Sequence, residues 1–137
     1  MKLIETDLIL SAVSREDKHH ETTVKLIEKL SGELVLSPYT LVELNLLLKI
    51  GKIVVTNVKD LYAHLEAFLN YWGIEVQALK VAYHRKAHQI REEYGLRYFD
   101  SLHAAVGIIE GLELVSYDRS YAKIPELAYS HPTVYVR

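Results

Sequence analysis

Short apolar runs alternate along this chain with longer segments whose apolar residues recur at helical spacing, and that alternation limits the fold more than any other feature. Lys2 to Thr6 opens the chain as a strand of the buried kind, and Leu8 to Val13 continues apolar as a short helix. Asp17 to Leu30 places Val24, Ile27 and Leu30 on one helical stripe, with Gly32 as the stop. Leu34-Val35-Leu36 reads as a second strand. Ser37-Pro38 then supplies a helix start, with the serine as N-cap and the proline at the first helical position, and that helix runs to about Ile50. A further helix covers Val58 to Tyr71, and Ile74 to Val76 reads as a third strand. Lys80 to Tyr94 is amphipathic: Tyr83, Ala87, Ile90 and Tyr94 share one face, while His84, His88 and Arg91 lie on another. Phe99 to Glu110 is a last helix, Leu114-Val115 a fourth strand and Val134 to Val136 a fifth. Strands separated by helices predict an α/β fold with three layers, α/β/α, around a central, mostly parallel sheet. In such sheets ligands gather at the carboxyl ends of the strands.

At 137 residues, with no repeat and no Pro/Gly-rich linker, the chain reads as one domain over 1–137. It has no cysteine, which excludes disulfides, zinc–thiolate sites and thiol nucleophiles. Two acids, Glu5 and Asp7, stand where a signal peptide needs an apolar run, and no window has the ~20 apolar residues of a membrane span, so the expected address is the cytoplasm. The net charge of −2 argues against holding nucleic acid by bulk electrostatics. Any such site must work locally, through a bound cation or a basic patch, for which Lys80, Arg85, Lys86 and Arg91 are candidates beside a plain solvated helix face.

Most of the acids sit on polar helix faces or in turns, but a few do not. Glu43 lies in Leu41-Val-Glu-Leu-Asn-Leu-Leu-Leu, away from the polar side at Asn45 and Lys49, with Tyr39, Thr40, Leu46 and Leu47 as helical neighbours. A carboxylate among leucines is costly unless a cation or hydrogen-bond donors compensate it. The same position also fits a solvent-facing gap near a helix start, where the dipole favours acids. Asp100 opens its helix and is explained equally as an N-cap. Asp118 follows the fourth strand, where an ordinary turn aspartate would also sit. Glu5 and Asp7 close the first strand; alternate residues share a face, so both acids can point into one space while Thr6 points elsewhere. Taken together these groups can meet at one sheet edge. Two like charges ~5 Å apart repel by roughly 3 kcal/mol at an effective dielectric near 20. A divalent cation relieves that repulsion, and hard oxygen ligands favour Mg²⁺ or Mn²⁺.

Four segments resemble, in order and spacing, the acidic motifs of PIN domains: Leu3-Ile-Glu-Thr-Asp-Leu-Ile-Leu, Ser37-Pro-Tyr-Thr-Leu-Val-Glu-Leu, Phe99-Asp-Ser-Leu-His-Ala-Ala and Leu114-Val-Ser-Tyr-Asp-Arg-Ser-Tyr. The resemblance spans essentially the whole chain and is strongest to the toxin ribonucleases of VapBC toxin–antitoxin pairs. It implies hydrolysis of RNA phosphodiesters with Mg²⁺ or Mn²⁺ in an acidic pocket. It carries the second, third and fourth acids onto Glu43, Asp100 and Asp118, and a small hydroxyl residue onto Ser116. The first motif departs from the pattern, with Glu5 where the family usually has Asp and Asp7 at a position that is often Asn, Ser or Asp, so both stay candidates. The resemblance further implies an antitoxin partner and a homodimer, and the apolar faces of Leu46 to Ile50 and Leu61 to Tyr71 are candidates for either interface; the lack of an apolar span predicts no membrane association. A weakened first motif would instead leave a catalytically weak module that binds RNA or protein. Other chemistries find little support: His84 and His88 have chelating spacing but no metalloprotease pattern, and neither a nucleophile elbow nor a phosphate-cradling glycine loop is present.

Overall fold

Three strands of three residues make the centre of the molecule: β1 (Lys2–Ile4), β2 (Leu34–Leu36) and β4 (Glu113–Val115). The computed structural model describes residues 1–137. Two-residue strands, β3 (Glu75–Val76) and β5 (Tyr129–Ser130), complete a sheet of order β3-β2-β1-β4-β5 in which every pairing is parallel. The helices are α1 (Thr6–Val13), α2 (His20–Lys29), α3 (Tyr39–Lys49), α4 (Val58–Trp72), α5 (Val81–Tyr94) and α6 (Tyr98–Glu110).

Alternation along the strands divides the apolar residues between two cores. Leu3 lies level with Val35 and Leu114, and all three face the core built from Tyr83, Ala87 and Ile90 of α5 and Leu102 and Val106 of α6. Ile4 lies level with Leu36 and Val115, and these face Leu8 of α1, Leu26 of α2 and Leu65 and Leu69 of α4. Strands this short stay extended because both faces are buried and β1 is paired on both edges. Helix α6 is tightly packed near its C-terminal end. Its Ala104, Ala105, Val106 and Gly107 are all buried, and a Cβ on Gly107 would stand 2.9 Å from Leu127 Cδ1 and 3.2 Å from the Leu112 carbonyl oxygen.

The structure departs from the sequence reading in several places. The fifth strand is Tyr129–Ser130, not Val134 to Val136: the Leu114 N–H reaches the Ala128 carbonyl at 2.8 Å, and Pro132 starts a 3-10 turn over Pro132–Val134. The first strand stops at Ile4, so Glu5 is the N-cap of α1 and Asp7 lies in its first turn. Helix α3 begins at Tyr39, and the Ser37 hydroxyl caps nothing; it bonds to His103 instead. Asp100 sits in the first turn of α6 rather than at its cap, a place held by Arg97.

Strand register determines which residues meet at the sheet edge. Ile4, Leu36 and Val115 end their strands at one level, so the next residues, Glu5, Ser37 and Ser116, emerge side by side, and all three are buried. Chain order reverses at β1, with β2 on one side and β4 on the other, and in open α/β sheets the carboxyl edge at such a reversal is where a ligand crevice forms. If close packing of α6 sets this register, Gly107→Val should lower stability by about 1–3 kcal/mol in urea unfolding. An unchanged midpoint would show that the contact is slack.

Candidate functional site

Glu5 enters the crevice from the end of β1, and its backbone geometry as an N-cap turns the side chain inward. Its Oε1 accepts the Asp7 N–H at 2.8 Å and its Oε2 accepts the Tyr121 hydroxyl at 2.8 Å. Burial pushes its carboxyl up to about 7; the two hydrogen bonds oppose that rise, and the charges of Glu43 and Asp100 reinforce it. Glu43 projects from α3 onto the same space. Its Oε1 accepts from Thr6 Oγ1 and from His103 Nε2, the latter at 2.9 Å. Burial raises the Glu43 carboxyl, but the bonds from His103 and Thr6 outweigh it and hold the group below its ordinary value. Ligand atoms of Glu5, Glu43 and His103 lie within 4.8 Å of one another.

Asp100 is tied to this group through Tyr121. That buried hydroxyl, from a 3-10 turn over Arg119–Lys123, stands 2.8 Å from Glu5 Oε2 and 3.3 Å from Asp100 Oδ1, so one proton is shared between two carboxylates. Burial raises the Asp100 carboxyl, and the charge on Asp118 raises it further. Asp118 stands at the rim, where its Oδ1 caps the 3-10 turn by accepting the Ser120 N–H at 2.9 Å. Asp7 is held by the chain that follows β4: its Oδ2 accepts from Ser116 Oγ and from the Tyr117 N–H, each at 2.8 Å. The other oxygen, Oδ1, is buried with no hydrogen-bond partner. Burial holds the Asp7 carboxyl well above its usual range, and the Glu5 charge adds to the rise. Ser116 Oγ also accepts the Asp118 N–H at 3.0 Å, which links the last strand's acid to Asp7.

The fold therefore brings Glu5, Glu43 and Asp100 together, with Asp118 and Ser116 alongside and Asp7 behind. No Lys or Arg forms a salt bridge to any of these acids; the one partner that can carry positive charge is His103. The sequence reading missed His103, Tyr121 and Ser37, and it sent Thr6 the wrong way because it extended the strand. For His103 a signal existed, since it lies three residues after Asp100 on one helical face. Tyr121 closes the fourth quoted segment, but nothing local marks it as a partner of Glu5 and Asp100. Half of the basic patch is neutralised, Lys80 by Glu110 at 2.8 Å and Lys86 by Glu126 at 2.7 Å, while Arg91 donates to the neutral Ser101 Oγ at 2.6 Å and Arg85 has no carboxylate partner. His84 Nε2 lies 2.6 Å from the Tyr39 hydroxyl and His88 Nε2 lies 3.2 Å from Glu92 Oε1.

The family model that describes the PIN domain matches residues 2–127. The chain belongs to the PIN domain family. A chain of VapBC2 from Rickettsia felis, solved bound to a DNA fragment from their promoter, superposes on this PIN domain with a TM-score of 0.74; identity is 20%, over 95% of this chain and 97% of that one. A chain of FitAcB from Neisseria gonorrhoeae gives a TM-score of 0.73 at 21% identity, over 97% and 99% of the two chains. A chain of DNA-bound VapBC from Salmonella typhimurium gives 0.71 at 19%, over 96% and 98%. At these identities the likeness is one of fold. No curated protein matches the sequence.

Glu5 makes the electrostatics of this PIN domain measurable. Its carboxyl rises from 4.5 to about 7 on folding, so between those values the folded chain binds more protons than the unfolded one. The stability it contributes is complete below pH ~4.5 and is lost as pH rises through about 7, a change of about 3 kcal/mol. In metal-free urea unfolding, Glu5→Gln should therefore be the more stable protein at pH 8, with the gap closing near pH 4.5. Parallel stability curves for the two proteins would contradict this assignment for Glu5.

Proposed function

We propose that this chain is a divalent-metal-dependent endoribonuclease, the toxin of a toxin–antitoxin pair acting in the cytoplasm. The observation that carries the proposal is the convergence of Glu5, Glu43 and Asp100 at the carboxyl edge of the sheet with no Lys or Arg paired to them.

The residues fit a hard divalent cation. The donors are carboxylate oxygens, the chain has no thiolate, and Asp7 Oδ1 is an unpartnered buried oxygen beside the cluster. Glu5, Glu43 and Asp100 would hold the ion, with Asp118 at the rim and Asp7 as the remaining candidate from the first motif. The family's chemistry favours Mg²⁺ or Mn²⁺. When bound, such an ion supplies Lewis-acid stabilisation of the charge developing on the phosphate and eases deprotonation of water. The chain's own residues do the rest. Tyr121 fixes the spacing of Glu5 and Asp100 through its shared proton. Ser116 holds Asp7 and the backbone of Asp118 in one arrangement. Asp118 keeps Oδ2, which has no hydrogen bond within the protein, for the proton of the attacking water.

Partners are suggested by the surface and by the neighbours in fold, which come from structures of VapBC and FitAcB. Helix α3 and its C-cap expose Val42, Leu46 and Ile50, and an open groove of about 920 Å³ runs between α3, α4 and β3, lined by Leu41, Tyr62, Leu65, Leu69, Ile74 and Val76. That groove is separate from the carboxylates, so it suits an antitoxin or a second copy of the chain in a homodimer rather than the RNA substrate. No helix is long and apolar enough to cross a membrane.

A second reading, a catalytically weak module that binds RNA or protein, is favoured by one observation: both oxygens of Glu5 already accept hydrogen bonds from the protein. A cleavage assay on single-stranded RNA separates the two. The nuclease reading expects activity that EDTA abolishes and Mn²⁺ restores, a loss of about 10- to 100-fold for Tyr121→Phe, and a larger loss for Asp100→Asn. Cleavage indifferent to EDTA would remove the metal mechanism, and no cleavage with RNA binding intact would establish the module.

A further inference from the structure

His103 is fully buried at the back of the site, between Ser37 and Glu43. Its Nδ1 lies 2.7 Å from Ser37 Oγ and its Nε2 lies 2.9 Å from Glu43 Oε1. By proximity alone it could join Glu5 and Glu43 as a third ligand. The hydrogen bonds argue otherwise. The Ser37 hydroxyl has no partner except His103, and as a fully buried group it must place its proton on an acceptor. Nδ1 is that acceptor, so the imidazole proton sits on Nε2 and is donated to Glu43 Oε1. The opposite tautomer would strand the serine proton in the interior and set two acceptors, Nε2 and Oε1, 2.9 Å apart.

Glu43 Oε1 receives a second proton from Thr6 Oγ1, while Oε2 has no partner within the protein. Thr6 comes from α1, His103 from α6 and Ser37 from the end of β2, so three elements fix one carboxylate oxygen. We infer that His103 is a positioning residue and not a metal ligand: with Ser37 behind it and Thr6 beside it, it saturates Oε1 so that Glu43 presents Oε2 alone to a cation. The inference rests on the metal-dependent reading above for the cation, but the proton arrangement stands without it. Glu43 would then offer a bound cation one oxygen in a fixed direction, and an outer group of this kind governs metal affinity through the ligand it orients.

Two measurements test this on the whole chain. ¹⁵N NMR of the imidazoles in metal-free protein should show His103 as the neutral Nε2–H tautomer, and titration with Mg²⁺ should leave that proton in place. An Nδ1–H tautomer, or loss of the Nε2 proton on adding Mg²⁺, overturns the inference. Calorimetry with Mn²⁺ should then find affinity reduced by about 10- to 100-fold in His103→Leu and restored in His103→Gln, which returns an N–H donor. Equal losses in both variants would indicate direct ligation and overturn it, as would wild-type affinity in His103→Leu. If wild-type protein binds neither ion, the metal reading fails, and the tautomer alone then decides whether Ser37 and His103 orient Glu43.

Discussion

Repulsion among clustered carboxylates is the constraint around which the rest of this molecule is arranged. Glu5 is buried and Glu43 and Asp100 stand half-buried beside it, and no Lys or Arg is paired to them. Each like-charged pair at ~5 Å costs roughly 3 kcal/mol at an effective dielectric near 20, a large part of the 5–15 kcal/mol that keeps a small domain folded. Hydrogen bonds offset some of it: Tyr121 serves two acids, and Thr6 and His103 serve the third. What they leave is a pocket that favours a proton or a cation. Such a site persists only when the surrounding structure is stable enough to hold it.

That stability comes from the sheet. Three short strands carry alternating apolar residues into two separate cores, and their common register sets Glu5, Ser37 and Ser116 level at one edge. Small residues in α6 let that helix lie close, and the same helix carries Asp100 and His103 into the crevice. One geometric arrangement thus positions both the packing and the acids. The 3-10 turn after β4 adds Tyr121, whose phenol is buried in the same core that α5 and α6 form.

The three-layer parallel sheet was legible in the sequence because its signal is periodic: Leu3, Val35 and Leu114 fall on one side of their strands and Ile4, Leu36 and Val115 on the other. Glu43 stood out for a similar reason, as an acid off the polar face of its helix. Where periodicity ran out, reading failed. Val134 to Val136 has the composition of a strand, yet Pro132 turns the chain and the pairing falls on Tyr129–Ser130. Treating Glu5 to Asp7 as extended sent Thr6 away from Glu43, whereas an N-cap at Glu5 brings it back. His103 carried a local signal, three residues after Asp100 on one helical face, but its partner Glu43 is 60 residues distant and Tyr121 reaches Glu5 across 116, and no local pattern encodes contacts of that range.

Crystals grown without metal and soaked in Mn²⁺ offer the most direct test, through anomalous scattering at the manganese edge. A carboxylate pocket built for a cation should give a peak among Glu5, Glu43 and Asp100, with Glu43 contributing Oε2. Full occupancy elsewhere with none in the crevice, or three acids turned apart from one another, would contradict it.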